Sequence, residues 1–503
     1  MYNGIRCKLG YFQKEVTLEE YINGGLNMSG TAKLSAKDRI YTLLDDNSFV
    51  EIGALVTKRN TDFNMQQMSA PGDGIVTGYG VINENLVYVY SQDASALNGT
   101  IGEMHAKKII NLYRLAMKTG APVIGLIDCA GLRLQEASDA LASFGRLYKA
   151  EAMASGVIPQ ITAVFGQCGG GLAVLAEMSD FVLMAKDAKL FVTAPNAIAG
   201  NNEGKLDTAS ASYMATSGAV DYVGEDEVDV LNQIRKMVDI LPGNNEDDAV
   251  MQCTDDLNRA TALYDDEIAD PAAAFADLSD NGQFVEVKGD YAKEMVTGFI
   301  KLNGATIGAI GNRTMLVDGK DKKKFDAVLT ADGCRKAAAF VNYCDAYGIS
   351  VLTLSNVAGY SASAADAKAV ATEAAKMTFA FAGATVPKIN VVTGKSYGTA
   401  YAAFNSKSLG ADIEFALEGA EIGTMDAKLA AQIVYAGQVN TDAALNEKAE
   451  EYRKEANSAE NAAKRGYVDA IISASEVRAQ VIYAFEMLCT KKELRPAKKH
   501  GTV

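Results

Sequence analysis

Histidine is scarce in this chain, with only His105 and His500 among 503 residues, and tryptophan is absent. A Ser–His–Asp triad, a histidine general base or a multi-histidine metal site would have to draw on those two residues. His500 lies close to the C-terminus and is therefore a poor catalytic candidate. We expect chemistry that depends on groups other than imidazole, and no metal site.

Paired cysteines and membrane-directing segments are also lacking. The seven cysteines form no CxxC pair, and their odd number suits reduced thiols better than a disulfide framework or a zinc site. The first residues, MYNGIRCKLGYFQKEV, contain no apolar core of signal-peptide length. The most apolar region, residues 158–185, is interrupted by glutamine, glutamate and aspartate and is predicted to be a buried strand, turn and helix. We therefore expect a cytoplasmic protein.

Positive charge is in deficit, because 48 Lys and Arg face 63 Asp and Glu and give a net charge of −15. A nucleic-acid-binding protein is normally basic, so no nucleic-acid partner is expected. The acidity itself is explained by solubility.

The sequence does contain alternating strand and helix patterns, and these occur twice. PVIGLIDCAG and PQITAVFGQCGGG predict strands, with helical stretches around them, which favours an α/β fold. The segments GISVLTLSNVAG and VPKINVVTGKSYGTA repeat the same order about 230 residues later. An acidic stretch at 241–270 separates the two halves. The sequence thus predicts two duplicated domains, residues 1–245 and 246–503.

Two turns rich in small residues are the strongest candidate sites. Gly166–Gly171 follows one predicted strand and precedes a helix, and Lys395–Ala400 is its counterpart in the second half. Glycine at such a turn leaves backbone N–H groups at a helix N-terminus, suited to holding an oxyanion such as a thioester enolate. Close packing of helix on strand also demands glycine, and spacing alone leaves both interpretations open.

A third candidate is the loop at 128–136, which also follows a strand, where ligands gather in open α/β sheets. A pairing of Asp128 with Arg133 would orient this loop. Glu136 would serve either as a base or as a solvated carboxylate at a helix start.

These segments, in this order, resemble the carboxyltransferase family of the propionyl-CoA carboxylase β type, within the crotonase superfamily. The resemblance covers roughly residues 30 to 503. It rests on Lys33–Ile40, Pro71–Gly74, Asp128–Glu136, Ala154–Gln160, Gly166–Gly171, Thr385–Pro387 and Tyr397–Tyr401, among others. It implies an α/β fold of two duplicated crotonase-like (ClpP/crotonase) domains.

The resemblance also implies a reaction. Members move a carboxyl group between biotin on a carrier protein, as carboxybiotin, and a short acyl-CoA (propionyl-/methylmalonyl-, acetyl-/malonyl- or glutaconyl-CoA). Two backbone oxyanion holes, one per domain, hold the developing charges. By position, Gly170 and Gly171 would hold the acyl-CoA carbonyl in the N-terminal half, and Thr399 and Ala400 the biotin carbonyl in the C-terminal half.

Further substrate-binding residues carry over from the family. Lys108 matches a lysine on the CoA side and would meet its phosphates or adenine. The remaining candidates are the loop residues Ala130, Gly131, Leu132 and Arg133, together with Gly359 and Ala402. The chain departs from the family at several of these positions. Asp-Ser-Gly-Gly-Ala-Arg becomes DCAGLR, Asp-x-Pro-Gly-Phe becomes NVAGY, Gly-Gly-Ala becomes GTA, and Ala402 stands where the family often has Asp.

The resemblance implies partners too: a biotin carboxyl carrier protein, and a biotin carboxylase subunit or membrane decarboxylase subunits. It also implies a homodimer or hexamer. The sequence leaves the acyl group and the direction of reaction open. Two alternatives remain: a crotonase-like hydratase or isomerase using Glu136 or Glu177, and a non-catalytic paralogue that binds CoA esters.

Overall fold

The structure, a computed structural model, describes residues 33–61, 63, 65–197, 205–248, 250, 252–261, 269–318 and 321–496. His500 lies outside the described residues. Among these residues, none of the helices combines the length and apolar character needed to cross a bilayer.

The first half is built on one sheet with helices packed against it. Its strands are β1 (Val50–Glu51), β2 (Ile75–Ile82), β3 (Asn85–Gln92), β4 (Val123–Cys129), β5 (Gln160–Gly169), β6 (Phe181–Ala185), β7 (Lys189–Phe191) and β8 (Tyr222–Gly224). Its helices are α1 (Ala36–Leu43), α2 (Glu103–Thr119), α3 (Ala137–Ala154), α4 (Gly171–Glu177), α5 (Ala211–Ser217) and α6 (Glu227–Ile240).

The second half contains a second large sheet and several short strand pairs. Its strands are β9 (Phe284–Glu286), β10 (Met295–Leu302), β11 (Ala305–Asn312), β12 (Met315–Asp318), β13 (Asp321–Lys324), β14 (Val328–Leu329), β15 (Ser350–Ser355), β16 (Gly359–Tyr360), β17 (Lys388–Val392), β18 (Lys395–Tyr397), β19 (Ile413–Leu417), β20 (Glu421–Gly423) and β21 (Ala470–Ile472). Its helices are α7 (Pro271–Leu278), α8 (Ala331–Ala346), α9 (Val370–Gly383), α10 (Gly398–Ala403), α11 (Ala427–Val434), α12 (Asp442–Tyr452), α13 (Ala459–Lys464) and α14 (Val477–Leu488).

The two sheets have the same strand order. The first runs β1-β2-β3-β4-β5-β6-β8, and the second runs β9-β10-β11-β15-β17-β19-β21. In each, the first three strands are antiparallel and the remaining ones parallel. The short pair β18–β20 corresponds to the pairing of β5 with β7. The predicted duplication is therefore a property of the fold, although the boundary at residues 245 and 246 stays a prediction.

Matching hairpins begin both sheets, and local sequence explains them. β2 turns into β3 through Asn83 and Glu84, and β10 turns into β11 through Asn303 and Gly304. All four residues have positive φ, between 48° and 77°. Two-residue hairpin turns of this kind match the twist of the strands, and asparagine and glycine adopt them at the lowest cost.

An aromatic cluster joins the two halves. The ring of Phe181 on β6 lies 4.9 Å from that of Tyr343 on α8 and 6.1 Å from that of Phe299 on β10. Phe340 and Tyr347 extend the cluster, and the Tyr347 hydroxyl donates to Asp180 at 3.1 Å. Both sheets therefore share one continuous hydrophobic core.

Candidate active site

The first candidate site is the turn between β5 and α4. Gly170 has φ 64° and ψ −133°, a conformation essentially confined to glycine. Two other glycines of this segment are needed for a different reason, because a larger side chain would clash with surrounding atoms. A Cβ on Gly169 would lie 2.9 Å from the Phe191 ring, and one on Gly166 would lie 1.9 Å from the Asp128 carboxylate.

The backbone groups of this turn are not equivalent. The N–H of Gly170 donates to the carbonyl of Phe191 at 2.9 Å, and the first intrahelical bond runs from Ala173 N–H to Gly170 O at 3.1 Å. The N–H groups of Gly171 and Leu172 precede that bond, so neither has an acceptor within the helix. The Tyr148 hydroxyl fixes the turn by donating to Gly171 O at 2.8 Å.

The loop after β4 lies against this turn. A Cβ on Gly131, which has φ 102°, would stand 3.4 Å from Gly169 O. Ala130 is exposed, Gly131 is buried and Leu132 is partly buried. The loop is held by Ala130 N–H donating to Asn98 O at 3.0 Å. The structure thus brings together two segments that were predicted separately.

The Arg133 side chain anchors the loop after β4, but its partner is not Asp128 as predicted. Its fully buried guanidinium pairs with Asp73 at 2.5 Å and Glu136 at 2.9 Å, and it donates to Thr100 O at 2.6 Å. The predicted pairing with Asp128 is wrong. The Arg133 side chain is therefore fully engaged within the protein, and its main-chain N–H donates to Ile101 O at 3.0 Å.

Asp128 is the centre of a separate ion-pair group. Its carboxylate accepts Lys33 at 2.6 Å and Arg39 at 3.5 Å, and Arg39 also pairs with Glu227 at 2.8 Å. These contacts connect β4 to α1 and α6. These contacts could not be predicted from the sequence, because Glu227 is 188 residues from Arg39.

Glu136 is neither a free base nor a solvated carboxylate. One oxygen accepts Arg133, and the other accepts the Glu103 N–H at 2.7 Å, which caps the start of α2. Glu177, the other acid of the hydratase alternative, lies at the far end of α4 from Gly171. Partial burial raises its pKa to about 7, which suits acid–base chemistry, but six residues of helix place it about 9 Å from the turn along the axis.

His105 is buried inside the fold. Its ring contacts Asp73 O at 3.0 Å and the Gln92 side chain at 3.2 Å. Burial lowers the pKa of His105 to about 3, so the ring is neutral at physiological pH. The thiols near the turn are equally shielded, because burial raises the pKa of Cys129 to about 12 and that of Cys168 well above its ordinary value. Among the described residues, no three His, Cys, Asp or Glu side chains are grouped closely enough to hold a metal ion.

Lys108 is buried, and its ammonium donates to the carbonyls of Gly72 at 3.0 Å and Ile75 at 2.5 Å. Burial lowers its pKa to about 8. Lys336 has the same place in the duplicated helix α8 and donates to the carbonyls of Lys288 at 2.7 Å and Tyr291 at 2.9 Å. A CoA contact for Lys108 stays a prediction, and it would require the ammonium to leave these carbonyls.

The second candidate site is the turn between β18 and α10. Register places Tyr397 opposite Gly423 in β20, just as Gly169 lies opposite Phe191 in β7. Gly398, with φ 61°, therefore corresponds to Gly170, and Thr399 to Gly171. Thr399 is exposed and Ala400 is buried.

Tyrosine hydroxyls surround this second turn. Tyr360, next to Gly359, donates to Thr399 O at 3.1 Å, the counterpart of the Tyr148 contact with Gly171 O. Tyr397 donates to Glu421, and Tyr401 donates to Glu414 at 2.5 Å.

Two predicted residues lie on the open side of the second turn. A Cβ on Gly359 would meet no atom within 4 Å, and Ala402 is exposed, so there is space beside the turn. Sequence reasoning missed Glu414. Its signal is a lone carboxylate in the apolar strand IEFAL.

The special role of Gly170 can be tested against a matched glycine. Neither Gly170 nor Gly145, an exposed residue within α3, would place a Cβ within 4 Å of another atom. We expect Gly170→Ala to destabilise the protein by about 1–3 kcal/mol through backbone strain. Gly145→Ala should instead stabilise it by about 1 kcal/mol, since alanine favours the helix. Chemical denaturation of both variants measures the difference, and equal effects would rule out a conformational requirement at Gly170.

Comparison with known proteins identifies the family. The carboxyl transferase domain family matches residues 30–503. The chain belongs to the carboxyl transferase family. A propionyl-CoA carboxylase beta chain from Roseobacter denitrificans is 37% identical over 94% of each chain. A methylmalonyl-CoA decarboxylase subunit alpha from Veillonella parvula is 36% identical over 94% of this chain and 93% of its own.

A solved member of the carboxyl transferase family has the same fold. The crystal structure of transcarboxylase 12S, described as a hexamer with hydrolysed methylmalonyl-coenzyme A bound, matches with a TM-score of 0.87 and 33% identity. It covers 96% of this chain and 94% of its own. These matches confirm the predicted family and the α/β fold of two crotonase-like domains, and they identify the chain as an acyl-CoA carboxyltransferase.

Proposed function

We propose that this chain moves a carboxyl group between biotin on a partner protein and a short acyl-CoA of the propionyl-CoA and methylmalonyl-CoA class. The observation that carries the proposal is the matched pair of turns at Gly170 and Gly398, on equivalent strands of two sheets with one strand order. A reaction with two developing oxyanions requires two such sites. The names of the relatives support the acyl group.

In the N-terminal half, the thioester carbonyl would be held by the turn after β5. The Gly170 N–H already donates to Phe191 O, so we assign the oxyanion donors to the N–H groups of Gly171 and Leu172. Gly170 then provides the positive φ that the turn requires. This choice matches Thr399 and Ala400 in the second half, residue for residue. The loop Ala130–Arg133 would form the adjacent wall.

In the C-terminal half, the turn after β18 would hold the biotin carbonyl through the N–H groups of Thr399 and Ala400. Biotin supplies the carboxyl group when it arrives carboxylated and, once freed of it, the base for the acyl-CoA α-carbon. The chain has room for it beside Thr399, Ala402 and Gly359. This chain's own contribution is to fix two carbonyls by backbone dipoles, each donor worth about 3 kcal/mol of transition-state stabilisation.

The same proposal includes the partners and the location. We infer a biotin carboxyl carrier protein as partner, with either a biotin carboxylase subunit or membrane decarboxylase subunits, and a homodimer or hexamer in the cytoplasm. The direction of carboxyl transfer would depend on which of these partners is present. The hydratase alternative has little support, since Glu136 is buried in an ion pair and Glu177 is remote from the turn.

The full-length protein should decarboxylate one ester of a panel of malonyl-, methylmalonyl- and glutaconyl-CoA, with methylmalonyl-CoA the expected substrate, only when biotin or biocytin is added. CO2 release measured with and without biocytin tests this, with CoA-ester binding measured in parallel. Biotin-independent turnover would contradict the mechanism. Binding of the esters without any turnover, also with a biotinylated carrier protein, would favour the non-catalytic paralogue.

A further inference from the structure

Glu414 is the second residue of β19 and is fully buried, and the register places Asn390 of β17 opposite it. A carboxylate in such a position is costly unless its oxygens are hydrogen-bonded. Two donors meet that requirement. Tyr401 donates its hydroxyl to Oε1 at 2.5 Å, and the main-chain N–H of Lys407 donates to Oε2 at 2.5 Å.

Both donors lie in α10 or in the chain that follows it. Tyr401 is within α10, two residues after Thr399, and Lys407 follows the end of α10. One carboxylate therefore ties the body of this six-residue helix and the chain that leaves it to the central sheet. A helix this short has little stability of its own and depends on such contacts.

Among the described residues of the first half, the matching positions make no such contact. Register places Val182 of β6 at the position of Glu414, and Ala173 of α4 at that of Tyr401. Both are buried and apolar. The two halves therefore differ at this position, and in the second half Thr399 stands where the first half has Gly171.

We propose that Glu414 is a positioning residue that holds α10, and with it the Thr399 and Ala400 N–H groups, in place through its ionised carboxylate. The inference deepens the proposed function, and its effect falls on the biotin half-reaction alone. Acyl-CoA binding, assigned to the first half, should not respond.

The titration of Glu414 follows from its surroundings. Burial raises the pKa of Glu414 to about 7, against the hydrogen bonds from Tyr401, the Lys407 N–H and the Asn390 side chain, which lower it, while the Asp469 carboxylate raises it further. Asp469 accepts the Glu414 N–H at 2.9 Å and pairs with the Lys407 ammonium. Above pH 7 the ionised carboxylate accepts both donors. Below it, the added proton makes one oxygen a donor and weakens the hold on α10.

Hydrogen–deuterium exchange of the full-length protein tests the inference without any turnover. Relative to the α4 peptide, we expect α10 of the wild type to be severalfold better protected at pH 8 than at pH 6. In Glu414→Gln the protection of α10 should be low, and it should be equal at pH 6 and pH 8. Glu418→Gln, an exposed carboxylate beyond the same strand, is the charge-matched control and should behave as wild type. Unchanged α10 protection in Glu414→Gln at pH 8 would overturn the proposal.

Steady-state kinetics provide the functional arm. Between pH 6 and pH 8, the wild-type kcat for biocytin-dependent decarboxylation should rise about tenfold as Glu414 ionises, and Glu414→Gln should lack this rise. KM for the acyl-CoA should be equal in both. If the wild type shows no biocytin-dependent reaction, the proposed function fails, and exchange still decides whether Glu414 holds α10. If the wild type is active and Glu414→Gln keeps its pH profile, this inference alone fails.

Discussion

Replacing Thr399 with proline is expected to lower kcat/KM for carboxyl transfer by about 10²- to 10³-fold. The substitution removes one backbone donor from the second turn, and losing one oxyanion donor costs about 3 kcal/mol. Proline is tolerated in the first turn of a helix, where the N–H has no intrahelical acceptor, so α10 should still form. Biocytin-dependent CO2 release measures the loss.

Thr399→Gly is the matched control, because it changes the same side chain but keeps the N–H. It should retain wild-type activity or exceed it, since a β-branched side chain no longer crowds the turn. Affinity for the CoA ester should be the same in both variants. Equal activity of the two would show that the Thr399 N–H does not hold the reacting carbonyl.

Arg133→Met is expected to destabilise the protein by about 3–5 kcal/mol. The substitution preserves much of the side-chain volume but leaves Asp73 and Glu136, both fully buried, without their shared cation. Burial already raises the pKa of Asp73 against the opposing influence of Arg133. Urea denaturation at pH 7 measures the change in free energy of unfolding.

Lys186→Met is the control for this prediction. It removes a cation from the exposed pair with Glu225, at 2.6 Å, where water screens the interaction. No measurable loss of stability is expected. If Arg133→Met were as mild as Lys186→Met, the buried ion pair would not be what holds the loop after β4.

The fold could be predicted largely from local patterns. Strand and helix periodicity and the repeated order of segments indicated two α/β halves, and the Asn303-Gly304 turn shows how short-range signals determine a hairpin. The identical strand order confirms this reasoning. Hydrogen-bonded pairings such as β18 with β20 have no local signal, and so the register that relates Gly170 to Gly398 required the structure.

The site was predicted at the level of segments and less well at the level of contacts. The glycine turn after β5 and the loop after β4 do lie together, because parallel strands present their carboxyl ends at one edge. The choice of ion partners was wrong for Arg133, since several carboxylates compete and only the packed chain decides which is in reach. Glu414 was missed because its partner Tyr401 is separated from it by a dozen residues, so the contact has no local signal.

The duplication also gives this single chain an internal alignment of its own. Lys108 and Lys336 each donate to two main-chain carbonyls, and Gly170 and Gly398 have nearly equal positive φ angles of 64° and 61°. Features that both halves retain are those that the shared fold requires at that position. Where the halves differ, as at Val182 and Glu414, the architecture leaves the residue open, and a role specific to one half becomes testable. Exchanging the residues at such matched positions between the halves would distinguish residues needed for the fold from residues needed for function.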